Sequence, residues 1–235
     1  MSATLVQALW MQRASSPARL AILLVLVLLP LIAVTAMPGA GLSVLGDGFG
    51  VVLVLAVGMI GQDSSSGVLQ LLLARPVRRW EYVTSRWVAV GAGASLVSLT
   101  QVALAAAILG ARGRGVGADE VGLYAAARVL ESFGLAAVMT LLSALVSGFG
   151  DLVLYLLLQA AGGVLQAAGH FRSWPAALRI GTEIQGFLSP RIDLQQWVAA
   201  GPSWFGIASY LSTIALSILL AVLVMNRREL SYASG

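Results

Sequence analysis

Few side chains in this 235-residue chain are equipped for covalent or acid–base chemistry. All 14 basic residues are arginine, there is no cysteine, and His170 is the one histidine. A Walker-type phosphate loop needs a lysine to reach the nucleotide phosphates, so the chain has no ATP-hydrolysing site of that kind. Disulfides, thiolate ligands and thiol nucleophiles are excluded with cysteine. The serine run 64–66 beside Gly67 loosely mimics a nucleophile, and a serine protease would pair it with His170 within hydrogen-bond reach. One histidine cannot supply the usual ligands of a metal-dependent membrane protease. The arginines sit at the ends of apolar runs and do not form the single stripe of a nucleic-acid surface. What remains is charge in unusual places. The polar interruption 61–87 carries Arg75, Arg78, Arg79 and Arg86, and Arg128 and Glu131 stand three residues apart inside apolar sequence.

The elements that hold these residues are membrane spans. The chain is 59% hydrophobic and 10% charged, where a soluble domain is about a quarter charged. A spanning helix needs about 20 mostly apolar residues, and five or six stretches qualify: 20–37, 42–61, 87–110, 132–147, 152–169 and 205–225; a five-span count would put Arg227 and Arg228 on the outer face. The fold expected is therefore an all-α integral membrane protein, 1–235 forming a single transmembrane domain. With six spans, Arg13, Arg19, the four arginines of the insert, Arg227 and Arg228 fall on one face, which the positive-inside rule makes cytoplasmic together with both termini. His170 then lies on the opposite face from 64–66, which separates the two halves of the serine-protease reading. Residues 1–18 read as an amphipathic interfacial helix with Trp10 at headgroup depth. Segment 170–204 is too polar to span and is cut into short helical pieces by Pro175, Pro190 and Pro202. Gly58 with Gly61, and Gly91 with Ser95, have the spacing of close helix packing.

The insert has internal punctuation. Asp63 and the serines after it can cap a helix, because their oxygens accept from free backbone N–H groups. A short leucine-rich helix, 67–74, follows. Pro76 cannot continue it and biases Arg75 away from helical geometry. A second helix then rises from about Arg79 into the third span. The run Asp63, Gly67, Leu69 to Leu73, Arg75-Pro76, Arg78-Arg79, Glu81-Tyr82 resembles the cytoplasmic coupling region of ABC-2 type transporter permeases. The order of spans, the interfacial start and the short turn at 147–151 agree with that layout over nearly the whole length.

The resemblance implies a permease subunit of an ATP-binding cassette exporter in a bacterial cytoplasmic membrane. The coupling region would be 62–86. Asp63, Gly67, Leu69, Leu71, Leu72, Arg75, Pro76, Arg78, Arg79, Glu81 and Tyr82 would meet a separate ABC ATPase subunit, with Arg78 and Arg79 open equally to ATPase acids or anionic lipid. A second permease chain, identical or different, would complete the pathway. ATP and Mg would be bound by the ATPase, leaving no cofactor and no enzymatic activity in this chain. The other class of function is a membrane anchor that recruits a cytoplasmic partner without transport. Arg128 and Glu131 are expected to form an ion pair near the outer interface. No acidic ring, aromatic cage or polar stripe is evident along the spans, so the sequence assigns no substrate.

The topology has a direct test, since cysteines can be introduced singly into a chain that has none. Ser66→Cys and Ser234→Cys should both be protected from a membrane-impermeant thiol reagent in intact cells, and Ser173→Cys should react. Opposite behaviour at 66 and 234 would break the six-span arrangement.

Overall fold

The computed structural model describes residues 6–7, 10–11, 16–37, 41–65 and 78–227. Among them are helices α1 (Pro17–Ala36), α2 (Phe49–Ala56), α3 (Gly61–Ser65), α4 (Arg79–Ala111), α5 (Ala118–Leu145), α6 (Gly150–Phe171), α7 (Pro175–Leu188), α8 (Leu194–Ala200) and α9 (Trp204–Arg227), with a 3-10 turn at Leu42–Leu45 and no strand. Six segments are long and apolar enough to cross a bilayer: α1, Leu42–Asp63, α4, α5, α6 and α9. The chain is a multi-pass helical membrane protein.

Helix α5 is the centre. It packs against α4, α9, α2, α6 and α7, and most of its apolar window is buried. Lipid is as apolar as leucine, so helices in a membrane associate through close backbone approach and fitted packing. The core accordingly runs through small residues, with Ala56, Ala89, Ala94, Ala136 and Ala144 fully or almost fully buried among larger side chains. Gly91 of α4 lies under the ring of Phe133, whose backbone carbonyl accepts from the Trp87 indole at 2.9 Å. By contrast α1, α6 and α9 keep rows of leucines exposed, the surface a bilayer would cover.

Long-range hydrogen bonds repair the helices' own defects. Pro30 interrupts α1 and cannot donate to the carbonyl of Leu26. Gln101 of α4 donates there instead, at 3.2 Å. The last carbonyls of a helix have no intrahelical donor. Arg112 donates to Thr35 at the end of α1, and Arg79 donates to Met225 and Asn226 at the end of α9, at 2.6 and 2.7 Å. The Trp10 indole donates to Ala89 and lies over Gly93. The rest of the proposed interfacial helix falls largely outside the described residues.

The main departure from the sequence reading is span two. Residues 42–61 do not form one rod. They make the 3-10 turn, then α2, then a non-helical turn at 57–60, then α3. Gly58 has φ +70°, a conformation that a side chain would strain. Its role is thus conformational, and the packing role belongs to Gly61. A Cβ on Gly61 would stand 2.6 Å from the Gly148 carbonyl, and the Gly148 N–H donates back to Gly61 at 2.9 Å. Gly61→Val should lower stability in detergent by about 1–3 kcal/mol through this backbone clash. Gly122→Ala, on an exposed face of α5 with open space around it, should be neutral or stabilising by up to about 1 kcal/mol. Thermal unfolding of the two variants gives the comparison.

Candidate functional site

Two polar groups flank α3, and together they make it a joint between the second span and the insert. The upper group closes the break. Unpaired backbone groups are not tolerated in a hydrocarbon environment, so each N–H of the turn needs an acceptor. Val57 and Met59 donate to Leu53 and Ala56 within the chain's own turn. Gly58 donates to the Asp151 carboxylate at 2.7 Å. Ile60 and Gly61 both donate to the Ser143 hydroxyl, at 3.0 and 3.1 Å. Gln62 returns to Gly58 at 3.2 Å. Helices α5 and α6 thus supply, through one serine and one aspartate, the acceptors that the broken span lacks. Asp151 is fully buried, and its second oxygen accepts from the Leu152 N–H. Arg19 lies within electrostatic reach of Asp151 and donates to Gln62 at 3.2 Å, which ties α1 to the same joint.

The lower group locks α3 to α4. Asp63 is 3% exposed, Tyr82 2% and Arg86 8%. One carboxylate oxygen of Asp63 accepts from the Tyr82 hydroxyl at 2.7 Å and pairs with the Arg86 guanidinium. The guanidinium also lies over the Tyr82 ring, 5.1 Å from its centroid. Two local features make this possible. Tyr82 and Arg86 are four residues apart and therefore share a face of α4, and Asp63 is presented to that face by a five-residue helix.

These positions change several sequence assignments. Asp63, read as a helix cap, stands inside α3 with its carboxylate turned inward to Tyr82 and Arg86. Arg86, counted among the water-facing arginines of the insert, is a core residue of α4. The reason is local: a carboxylate at the end of one span and a guanidinium two turns into the next neutralise each other where each would be costly alone. Tyr82 belongs to the same buried group. Arg79 caps α9, Arg78 is exposed and Glu81 is half-buried. Gly67, Leu69, Leu71, Leu72, Arg75 and Pro76 lie outside the described residues. The signal that could have found the lock is the i, i+4 spacing of Tyr82 and Arg86 on the helix that follows Asp63.

On the other side of the molecule Arg128 and Glu131 do pair, at 2.9 Å. They lie well inside α5. Glu131 also accepts from the Gly48 N–H at 3.5 Å, at the beginning of α2. Segment 170–204 forms α7 and α8, and α7 runs back antiparallel along α6. Gly169 faces Leu178, Gly162 faces Gln185, and Ser189 accepts from Gln159 at 3.2 Å and lies 3.3 Å from the Tyr155 hydroxyl. This return path brings polar side chains of α6, α7 and α9 around a common cleft. The linear sequence shows no stripe there because the lining is drawn from three helices. Among the described residues no group of His, Asp and Glu could hold a metal ion.

A buried pair predicts asymmetric mutational costs. Asp63→Ala strands the Arg86 charge and should cost about 3–5 kcal/mol, whereas Asp63→Leu with Arg86→Met removes both charges and should cost only about 1–3 kcal/mol, for the Tyr82 hydroxyl left without its acceptor. Tyr82→Phe removes one hydrogen bond to a charged acceptor and should cost about 1.5–3 kcal/mol. Unfolding in mixed micelles measures all three, and an Asp63→Ala variant as mild as the double would refute the lock. Comparison of the chain with protein-family models, with curated proteins and with solved structures finds no match.

Proposed function

We propose that this chain is the permease subunit of an ATP-driven exporter of the ABC-2 type, set in a bacterial cytoplasmic membrane with its termini and residues 62–86 in the cytoplasm. Two such chains, alike or different, form the pathway, and separate ATPase subunits bind beneath. The observation that carries this reading is the buried Asp63–Tyr82–Arg86 group. It fixes both flanks of segment 66–77 to membrane helices, Asp63 before it and Tyr82 and Arg86 after it. Arg79 adds a tie to the end of α9. A force on the insert therefore reaches α3, α4 and α9 together instead of being lost in a slack loop. An ordinary positive-inside loop has no need of such anchoring. The chain also lacks the lysine of a Walker motor, so the energy has to come from a partner.

Coupling by this route is rigid-body motion through an interface. Closure of two ATPase subunits would displace the leucine-rich helix expected at 67–74, and the lock would convert that displacement into movement of the spans. The turn at 57–60 is the place where the second span can bend, because its backbone is held by Asp151 and Ser143 and not by a continuous helix ladder.

Affinity-purified chain in mild detergent should bring down an ATP-hydrolysing soluble subunit. Leu71→Asp should weaken that capture about tenfold or more, equivalent to about 1.4 kcal/mol of interface energy, while membrane insertion and the unfolding temperature stay unchanged. Capture without any ATP-dependent transport in reconstituted vesicles would instead identify an anchor. Absence of an ATPase, or capture indifferent to Leu71→Asp, would overturn the proposal.

A further inference from the structure

Helix α9 and the α6–α7 hairpin both lean on α5, and between them lies a cleft of about 690 Å³. That volume falls within the range of small-molecule sites, roughly 300–1,000 Å³. Its walls are polar although α6 and α9 are apolar enough to span a bilayer. Gln159 and Gln166 come from α6, Gln185 from α7, and Ser209 and Thr213 from α9. Polar side chains along spanning helices are costly unless they serve a partner or a pathway.

Three charged residues complete the lining: Asp47, Glu183 and Arg191. All three are exposed, and among the described residues none has an ion-pair partner. Asp47 and Arg191 also line the adjoining hollow beside Arg128 and Glu131. A purely anionic headgroup in the cleft would meet two carboxylates. A purely cationic one would leave the guanidinium unmatched, and a neutral one would leave all three charges unmatched. The walls are not closed on the lipid side, where Phe205 lines the cleft and is 85% exposed.

We propose that this cleft is a headgroup site for a zwitterionic amphiphile. Arg191 engages the phosphate, for which a planar guanidinium is suited. Asp47 and Glu183 engage the ammonium, the glutamine amides hold the polar linkage, and the apolar tail leaves past Phe205 into the bilayer. The inference rests on the permease reading only for the use made of the bound molecule; binding itself needs no ATPase.

The test is lipid retention by the purified full chain in detergent, without ATPase, read by native mass spectrometry. Phosphatidylethanolamine, phosphatidylglycerol and a neutral glycosyl diacylglycerol are offered at equal concentration. Phosphatidylethanolamine should be retained preferentially. Arg191→Gln and the double variant Asp47→Asn/Glu183→Gln should each weaken it about tenfold, and Arg227→Gln, at the far end of α9, should not. Equal retention of the three lipids, or indifference of phosphatidylethanolamine to both cleft variants, overturns the site. So does a dimer that binds none of them, since a second copy would then fill the cleft. Unfolding temperatures of the variants separate a lost site from a lost fold. Failure of ATPase capture leaves this result standing, and failure here leaves the permease reading standing.

Discussion

The structure depends on one constraint: a backbone N–H or C=O inside hydrocarbon must find a partner in the protein. The second span breaks at 57–60, and the break survives because Asp151 and Ser143 accept from Gly58, Ile60 and Gly61. Much else follows. Helix α5 must sit beside the break to present Ser143, and the tight turn into α6 must bring Asp151 to the same place. Gly61 has no room for a side chain where it meets the backbone of Val146 and Gly148, and Gly148 takes φ +69°, which a side chain would strain. The same logic recurs where Gln101 serves the carbonyl that Pro30 leaves open, and where Arg79 and Arg112 serve the ends of neighbouring helices. Side chains that look like isolated polar residues in a greasy chain are in these cases acceptors and donors assigned to particular gaps in another helix.

The charges obey a related economy. Asp63 with Arg86, and Arg128 with Glu131, are pairs in which neither member stands alone. Buried pairs are weak contributors to net stability but severe when half is removed. Their value here is positional. One pair fixes the insert's two flanks, and the other, through Gly48, holds the start of α2. The two sit toward opposite ends of the molecule, so the second span is anchored by charge at both ends and by Asp151 at its break.

The spans themselves were legible in the sequence because each is an apolar run of the length a bilayer requires, and the largest difference in helix bounds is at α5, which starts at Ala118 where 132 was expected. The Arg128–Glu131 pair was legible too, since three-residue spacing needs only a helix. The break in span two was not. Gly58 is surrounded by Ala56, Val57, Met59 and Ile60, an apolar run that hydropathy reads as continuous; the acceptor that lets it break is a carboxylate 93 residues away. Arg86 was misread for the same reason, because its partner Asp63 stands at the other end of the insert and its burial depends on how α3 is placed. The polar cleft is likewise a product of three helices meeting, with each contributing residues that look incidental in its own sequence.

Helix α4 has 33 residues, about 50 Å at 1.5 Å per residue, well beyond a hydrocarbon core of about 30 Å. It is one unbroken helix, longer than a hydrocarbon core is thick. A rod of that length tilted by about 5 degrees carries its far end about 4 Å. The end near Tyr82 and Arg86 and the end at Arg112, which holds the terminus of α1, are thus mechanically one body. Small displacements on one face of the bilayer need no chain of side-chain rearrangements to be felt on the other.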